Sequence, residues 1–118
     1  MTKSISISSR IKSITYALRG LKHLLNTEPN MLLHLLAAIA VIIAGFITGL
    51  DRGEWIAVSI AIGLVWMAEG FNTCIELLCD LYTREHNRTI GIIKDISAAA
   101  VLISAITAAV IGIIVFFF

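Results

Sequence analysis

Residues 31–50 read MLLHLLAAIAVIIAGFITGL, and this stretch decides the fold. It is a run of 20 residues broken only by His34 and Thr48. A helix of that length, at ~1.5 Å per residue, crosses the ~30 Å hydrocarbon core of a bilayer. After it, Asp51-Arg52-Gly53-Glu54 forms a short polar turn, and Trp55 stands at the position of an interfacial anchor. Residues 55–79 make a second span that contains two carboxylates, Glu69 and Glu76. Residues 80–95 are a polar loop, and residues 96–118 carry no charge and make a third span. Before the first span, apolar side chains recur at Ile11, Ile14, Leu18, Leu21 and Leu25. Their spacing of three and four marks one face of a helix over 5–28, with Ser8 or Ser9 as its cap. A basic amphipathic helix beside a span reads as a surface helix in the interface. The plainer alternative is a solvated juxtamembrane segment. These first 30 residues lack the apolar stretch of a secretory leader.

The whole chain agrees with that reading. Its 118 residues suffice for one domain, 1–118, and 58% of them are apolar. The mean hydropathy is +0.95. A net charge of +1 gives no reason to expect a nucleic-acid partner. The two cysteines, Cys74 and Cys79, sit in an apolar run and form neither a metal pattern nor a disulfide framework. The expected fold is an all-α membrane protein with three transmembrane helices and an N-terminal surface helix. Lys3, Arg10, Lys12, Arg19 and Lys22 precede the first span, Arg52 lies between spans one and two, and Arg84, Arg88 and Lys94 lie between spans two and three. That bias places the N-terminus and the 80–95 loop in the cytoplasm. Small residues at Ala100, Ser104, Ala108 and Gly112, and at Gly45 and Gly49, suit close helix approach in lipid. Three helices enclose little interior, so a homo-oligomer is expected.

The chemistry concentrates in the second span. Glu69, Asn72, Thr73, Glu76 and Asp80 fall at offsets of 0, 3, 4, 7 and 11, on one helix face. Glu69 then lies roughly 10 Å below Glu76 and about 16 Å below Asp80. An acidic side chain at membrane depth costs roughly 2.5–3.5 kcal/mol, so it implies a cation, a proton or a polar substrate. A carboxylate held out of water suits a general base, and Glu76, nearer the surface, suits a magnesium ion that also meets phosphate. The bland alternative is that both acids only join helices by hydrogen bonds. Glu28, before the first span, adds a third carboxylate at the same level. Lys94 can meet phosphate or snorkel to the interface. Tyr16 can stack on a base or anchor the surface helix. No Gly-rich phosphate loop or dinucleotide fingerprint is present.

With those residues assembled, the chain from about Arg10 to Val115 resembles the bacterial diacylglycerol kinase family, which includes undecaprenol kinases. The carriers are the run Glu69, Asn72, Glu76, Asp80 and the Lys-Asp-x-x-Ala-Ala-Ala-Val-Leu run from Lys94 to Leu102. The resemblance implies a homotrimer with active sites shared between subunits, ATP as phosphoryl donor, Mg2+ and a lipid alcohol substrate, at the bacterial inner membrane. It implies Glu69 as general base on the lipid hydroxyl, supported by Asn72, with Glu28 and Glu76 holding magnesium at the nucleotide phosphates. Lys94, Asp95, Tyr16, Glu85, His86 and Asn87 fall where the family contacts nucleotide. Arg10 falls where it contacts nucleotide and lipid, although Ser9 is the other candidate for that position, and Ala98 falls at the lipid site. The loop departs from the family, with Glu85-His86-Asn87 in place of an acidic-Tyr-His sequence. The segment Glu28 to His34 and the pair Glu54-Trp55 resemble the undecaprenol branch. Two other classes compete. A small proton-coupled transporter also uses a buried Glu, but normally has four spans; a purely structural oligomer would not need Glu69.

Overall fold

The computed structural model describes residues 5–118; Lys3, one of the basic residues behind the expected topology, lies outside them. Four helices follow in order: Ile7–Thr27 (α1), Pro29–Thr48 (α2), Arg52–Tyr82 (α3) and Arg88–Phe117 (α4). Among the described residues there is no strand. The last three helices are each long and apolar enough to cross a membrane.

Each helix end has a local cause. α1 starts two to three residues earlier than Ser8 or Ser9 would set it. Ser6 is the cap: its hydroxyl accepts from the Ser9 N–H, and Ser9 Oγ accepts from the Ser6 N–H. Glu28 alone separates α1 from α2. Its extended backbone (φ −104°, ψ 110°) is what a residue before proline prefers, and Pro29 then opens α2 at a position where no N–H is required. α2 ends at Gly49, whose positive φ of 72° favours glycine, and its N–H donates to the Gly45 carbonyl. The polar turn expected at 51–54 proves to be a helix start. Asp51 accepts from the Glu54 N–H, and Glu54 Oε1 accepts from the Asp51 N–H. The Glu54 backbone N–H holds the Asp51 carboxyl below the usual carboxylate range. Across the polar loop, α3 and α4 both extend into the 80–95 segment and leave only residues 83–87 non-helical. Asn87 caps α4 through its Oδ1 and the Ile90 N–H.

α3 and α4 form an antiparallel pair in contact along their length, and α3 is central. It carries six of the buried residues, Val58, Ala61, Val65, Glu69, Thr73 and Cys79, in one stripe. α2 meets α3 near both of its own ends. At one end Gly45 lies under the Trp55 indole, where an added Cβ would stand 2.6 Å from Cη2. Phe46 packs on the same ring at 4.8 Å. At the other end His34 reaches Glu69. Between these contacts the helices part around a cavity of about 190 Å³. Small side chains make the room: Ala37 and Ala38 from α2, Ala61 from α3, Ala105, Ala108 and Gly112 from α4. The Gly45-Gly49 pair thus serves one close approach to Trp55 and one helix stop within the chain. Cys74 and Cys79 are both free.

The outer surface is apolar. Leu33, Phe46, Ile47, Ile60, Met67, Phe71, Leu102 and Ile103 are all exposed. A water-soluble chain does not leave so much contiguous apolar surface uncovered, whereas hydrocarbon covers it at no cost. α1 has no buried residue, and Ile11, Ile14 and Leu18 are exposed as well.

Candidate active site

At the end of the bundle where α3 leaves the membrane, the polar face of α3 is matched across the helix pair. Lys94 Nζ on α4 donates to Asp80 Oδ1 at 2.7 Å. One turn deeper, Ser97 Oγ donates to Asn72 Oδ1 at 2.7 Å, and Asn72 Nδ2 donates to Glu76 Oε1 at 3.3 Å. Deeper still, His34 Nε2 on α2 donates to Glu69 Oε1 at 2.9 Å. The result is a ladder of polar contacts from the surface into the span, with each rung tied to a different residue of α3.

Burial increases down the ladder. The side chains of Lys94 and Asp80 are about two-fifths exposed, at 39% and 41%. His34 is 25% exposed and Glu69 only 5%. Thr73, one turn above Glu69 on the same face, is buried, and its Oγ1 has no hydrogen-bond partner. A buried hydroxyl without a partner is unusual, because desolvation is then uncompensated.

The structure gathers Glu69, Asn72, Glu76 and Lys94 at this end. Glu28 sits half-buried at the α1–α2 corner. Asp95 and Ala98 are exposed on α4, and Glu85 and His86 are exposed in the linker beside Asn87. The Glu85 N–H donates to Thr83 Oγ1 and Asn87 caps α4, so both help shape the linker. Arg10 and Tyr16 are exposed on α1; Tyr16 packs under the Arg19 guanidinium at 5.6 Å. Among the described residues, neither Arg10 nor Tyr16 bonds to the α3 ladder.

Sequence reasoning missed Ser97 and the partnership of His34. Ser97 lies three residues after Lys94, so helix spacing alone places both on one face. His34 is 35 positions from Glu69, and no local spacing signals that contact.

The donor set suits a hard cation. Carboxylate and amide oxygens are the ligands magnesium prefers, and Glu76 engages only Oε1 within the chain. No three His, Cys, Asp or Glu side chains converge on a point among the described residues. Magnesium does not need three, since phosphates and waters complete its shell.

Comparison with known proteins matches the chain to one family. The profile described as prokaryotic diacylglycerol kinase matches residues 15–116. The undecaprenol kinase of Bacillus subtilis (strain 168) is 37% identical over 105 residues, covering 89% of this chain and 85% of the relative. The diacylglycerol kinase of Synechocystis sp. (strain ATCC 27184 / PCC 6803 / Kazusa) is 31% identical over 101 residues, covering 85% of this chain and 58% of the relative. Three apolar helices with acid, amide and amine groups gathered at one end therefore define a membrane-embedded lipid kinase. The chain belongs to the prokaryotic diacylglycerol kinase family. Family membership sets aside the transporter and the purely structural oligomer.

Proposed function

We propose that this kinase transfers the γ-phosphoryl group of ATP, with magnesium, to the hydroxyl of a membrane lipid alcohol, with undecaprenol preferred over diacylglycerol. The observation that carries the reading is the burial of Glu69 two turns below Glu76 on one face of α3. A buried carboxylate at that depth meets a lipid hydroxyl, while the groups above it meet water and a soluble donor.

Glu69 accepts the hydroxyl proton. The lipid oxygen then bonds to phosphorus, and the bond from phosphorus to the departing ADP oxygen breaks. Asn72, held by Ser97, orients Glu76 through its amide. Glu76 and Glu28 would hold magnesium, which would supply neutralisation of phosphate charge. Lys94, Asp95, Glu85, His86 and Asn87 line the nucleotide side. Tyr16 packs near the base, and Arg10 reaches both substrates. Catalysis then comes from positioning and charge neutralisation rather than covalent chemistry.

A homotrimer with shared sites accounts for the exposure of Arg10, Tyr16, Asp95 and Ala98 in a single chain. Neighbouring subunits bring them to the ladder. The lean toward undecaprenol is supported by the relative of that name, which is more similar over more of its length. The N-terminus and the 80–95 segment face the cytoplasm of the bacterial inner membrane, where the nucleotide is.

The test is transfer of labelled γ-phosphate by purified protein in mixed micelles, with both lipids offered side by side. Transfer to undecaprenol in excess over diacylglycerol is expected. Transfer to neither lipid, from folded protein with magnesium present, would sink the proposal.

A further inference from the structure

None of the roles above uses His34. It is the single titratable side chain on α2, and it is spent on one contact, the 2.9 Å hydrogen bond to Glu69 Oε1. That bond is the carboxylate's one hydrogen-bond partner among the described residues. Of the other charged groups at this end, Glu28 is half-buried at the α1–α2 corner, and the rest are engaged elsewhere or exposed. On α3, Glu76 lies two turns away and is held by Asn72, and Asp80 is paired with Lys94 of α4. Asp95 of α4 is exposed. α1 reaches this level of α3 with Leu24, which lies closest to Gly70. His34 also lines the apolar cavity between α2, α3 and α4, whereas Glu69 does not.

We infer that His34 is the positioning residue for Glu69: its Nε2–H fixes Oε1 of the carboxylate and leaves Oε2 for the lipid hydroxyl. The inference rests on the reading of Glu69 as the base of a lipid kinase. The physical need is plain. A buried carboxylate has free torsions and no solvent to hold it, so an unheld base samples unproductive orientations. A single donor from a neighbouring helix supplies that hold. In the transfer step the lipid hydroxyl gives its proton to Oε2, the lipid oxygen bonds to phosphorus, and the ADP oxygen leaves. His34 keeps its own proton throughout. Its place at the cavity edge also sets how deep an acceptor can sit before its hydroxyl reaches Glu69.

The test compares the wild type with Glu69→Gln, His34→Ala and His34→Gln in mixed micelles, reading kcat and KM for ATP. His34→Ala should lower kcat on the order of 10²-fold, as misplacement of a catalytic group does, with KM for ATP little changed. His34→Gln retains an N–H donor and should recover most of the rate. It also decides the matter should His34→Ala fail to fold. A His34→Ala variant with wild-type kcat would overturn the inference. So would a folded His34→Gln as slow as His34→Ala, since donation to Oε1 would then not be what matters. A wild type inactive on both lipids would instead remove the kinase reading itself.

Discussion

The two ends of α3 lie on one continuous helix and are built to opposite rules. From Arg52 to Val65 it presents Trp55, Val58, Ala61 and Val65, and closes against α2 by fitting an indole over a glycine. From Glu69 to Asp80 it presents acids and an amide, and closes by hydrogen bonds to His34, Ser97 and Lys94. In lipid there is no hydrophobic drive to bring helices together, so each end needs a specific reason to touch. Shape supplies it at one end and polar pairing at the other. Substitutions at the polar end should therefore strike activity, and those at the shape-matched end should strike stability.

The largest expected effect is at the deepest polar rung. Glu69→Gln keeps size and hydrogen bonding but cannot take a proton. Transfer should fall by on the order of 10²–10⁴-fold, with helix content and oligomeric size unchanged. An active variant would end the assignment of this residue as base. Next come Glu76→Ala and Glu28→Ala. Each should raise the magnesium concentration needed for half-maximal rate at least roughly tenfold, and a magnesium titration that overlays the wild type would remove the metal assignment.

At the opposite end, Gly45→Val should destabilise by about 1–3 kcal/mol, since Trp55 must move to admit the side chain. Thermal unfolding in detergent measures this, and the same variant should keep its kcat at low temperature. A fall in kcat with no loss of stability would show that the two ends are not separable. The smallest effect belongs to the Asp51 cap. Its carboxyl sits below the usual range because the Glu54 N–H donates to it. A depressed value means that this contribution is present above the unfolded-state value of about 3.9 and is lost as pH falls through the folded-state value. Asp51→Asn should flatten that part of the stability profile. An unchanged slope between wild type and variant would assign the acid sensitivity to other groups.

The spans were legible because a run such as 31–50 has few other uses, and the ladder of α3 was legible because helical spacing puts Glu69, Asn72, Glu76 and Asp80 on one face. What lay beyond reach was pairing between helices. Lys94 with Asp80, Ser97 with Asn72 and His34 with Glu69 depend on how deep each helix sits against its neighbour, and no single helix encodes that depth. Gly45 and Gly49 show a second limit. Their spacing is the same whether two helices pack there or one helix ends, and only the left-handed backbone at Gly49 separates the cases. Likewise Asp51 to Glu54 has the composition of a turn and the hydrogen bonds of a helix start.

One consequence follows from unequal helix lengths. α2 has 20 residues, about 30 Å, which matches the hydrocarbon layer; α3 and α4 have 31 and 30, about 45 Å. On the proposed reading, the surplus carries Asp80 and Lys94 clear of the lipid tails while Glu69 stays within them. Bilayer thickness then becomes a variable of the enzyme. Longer acyl chains submerge the upper rungs and draw α2 into mismatch, and shorter ones lift Glu69 toward water. On that reading the host membrane sets where its own lipid and a soluble phosphoryl donor can meet.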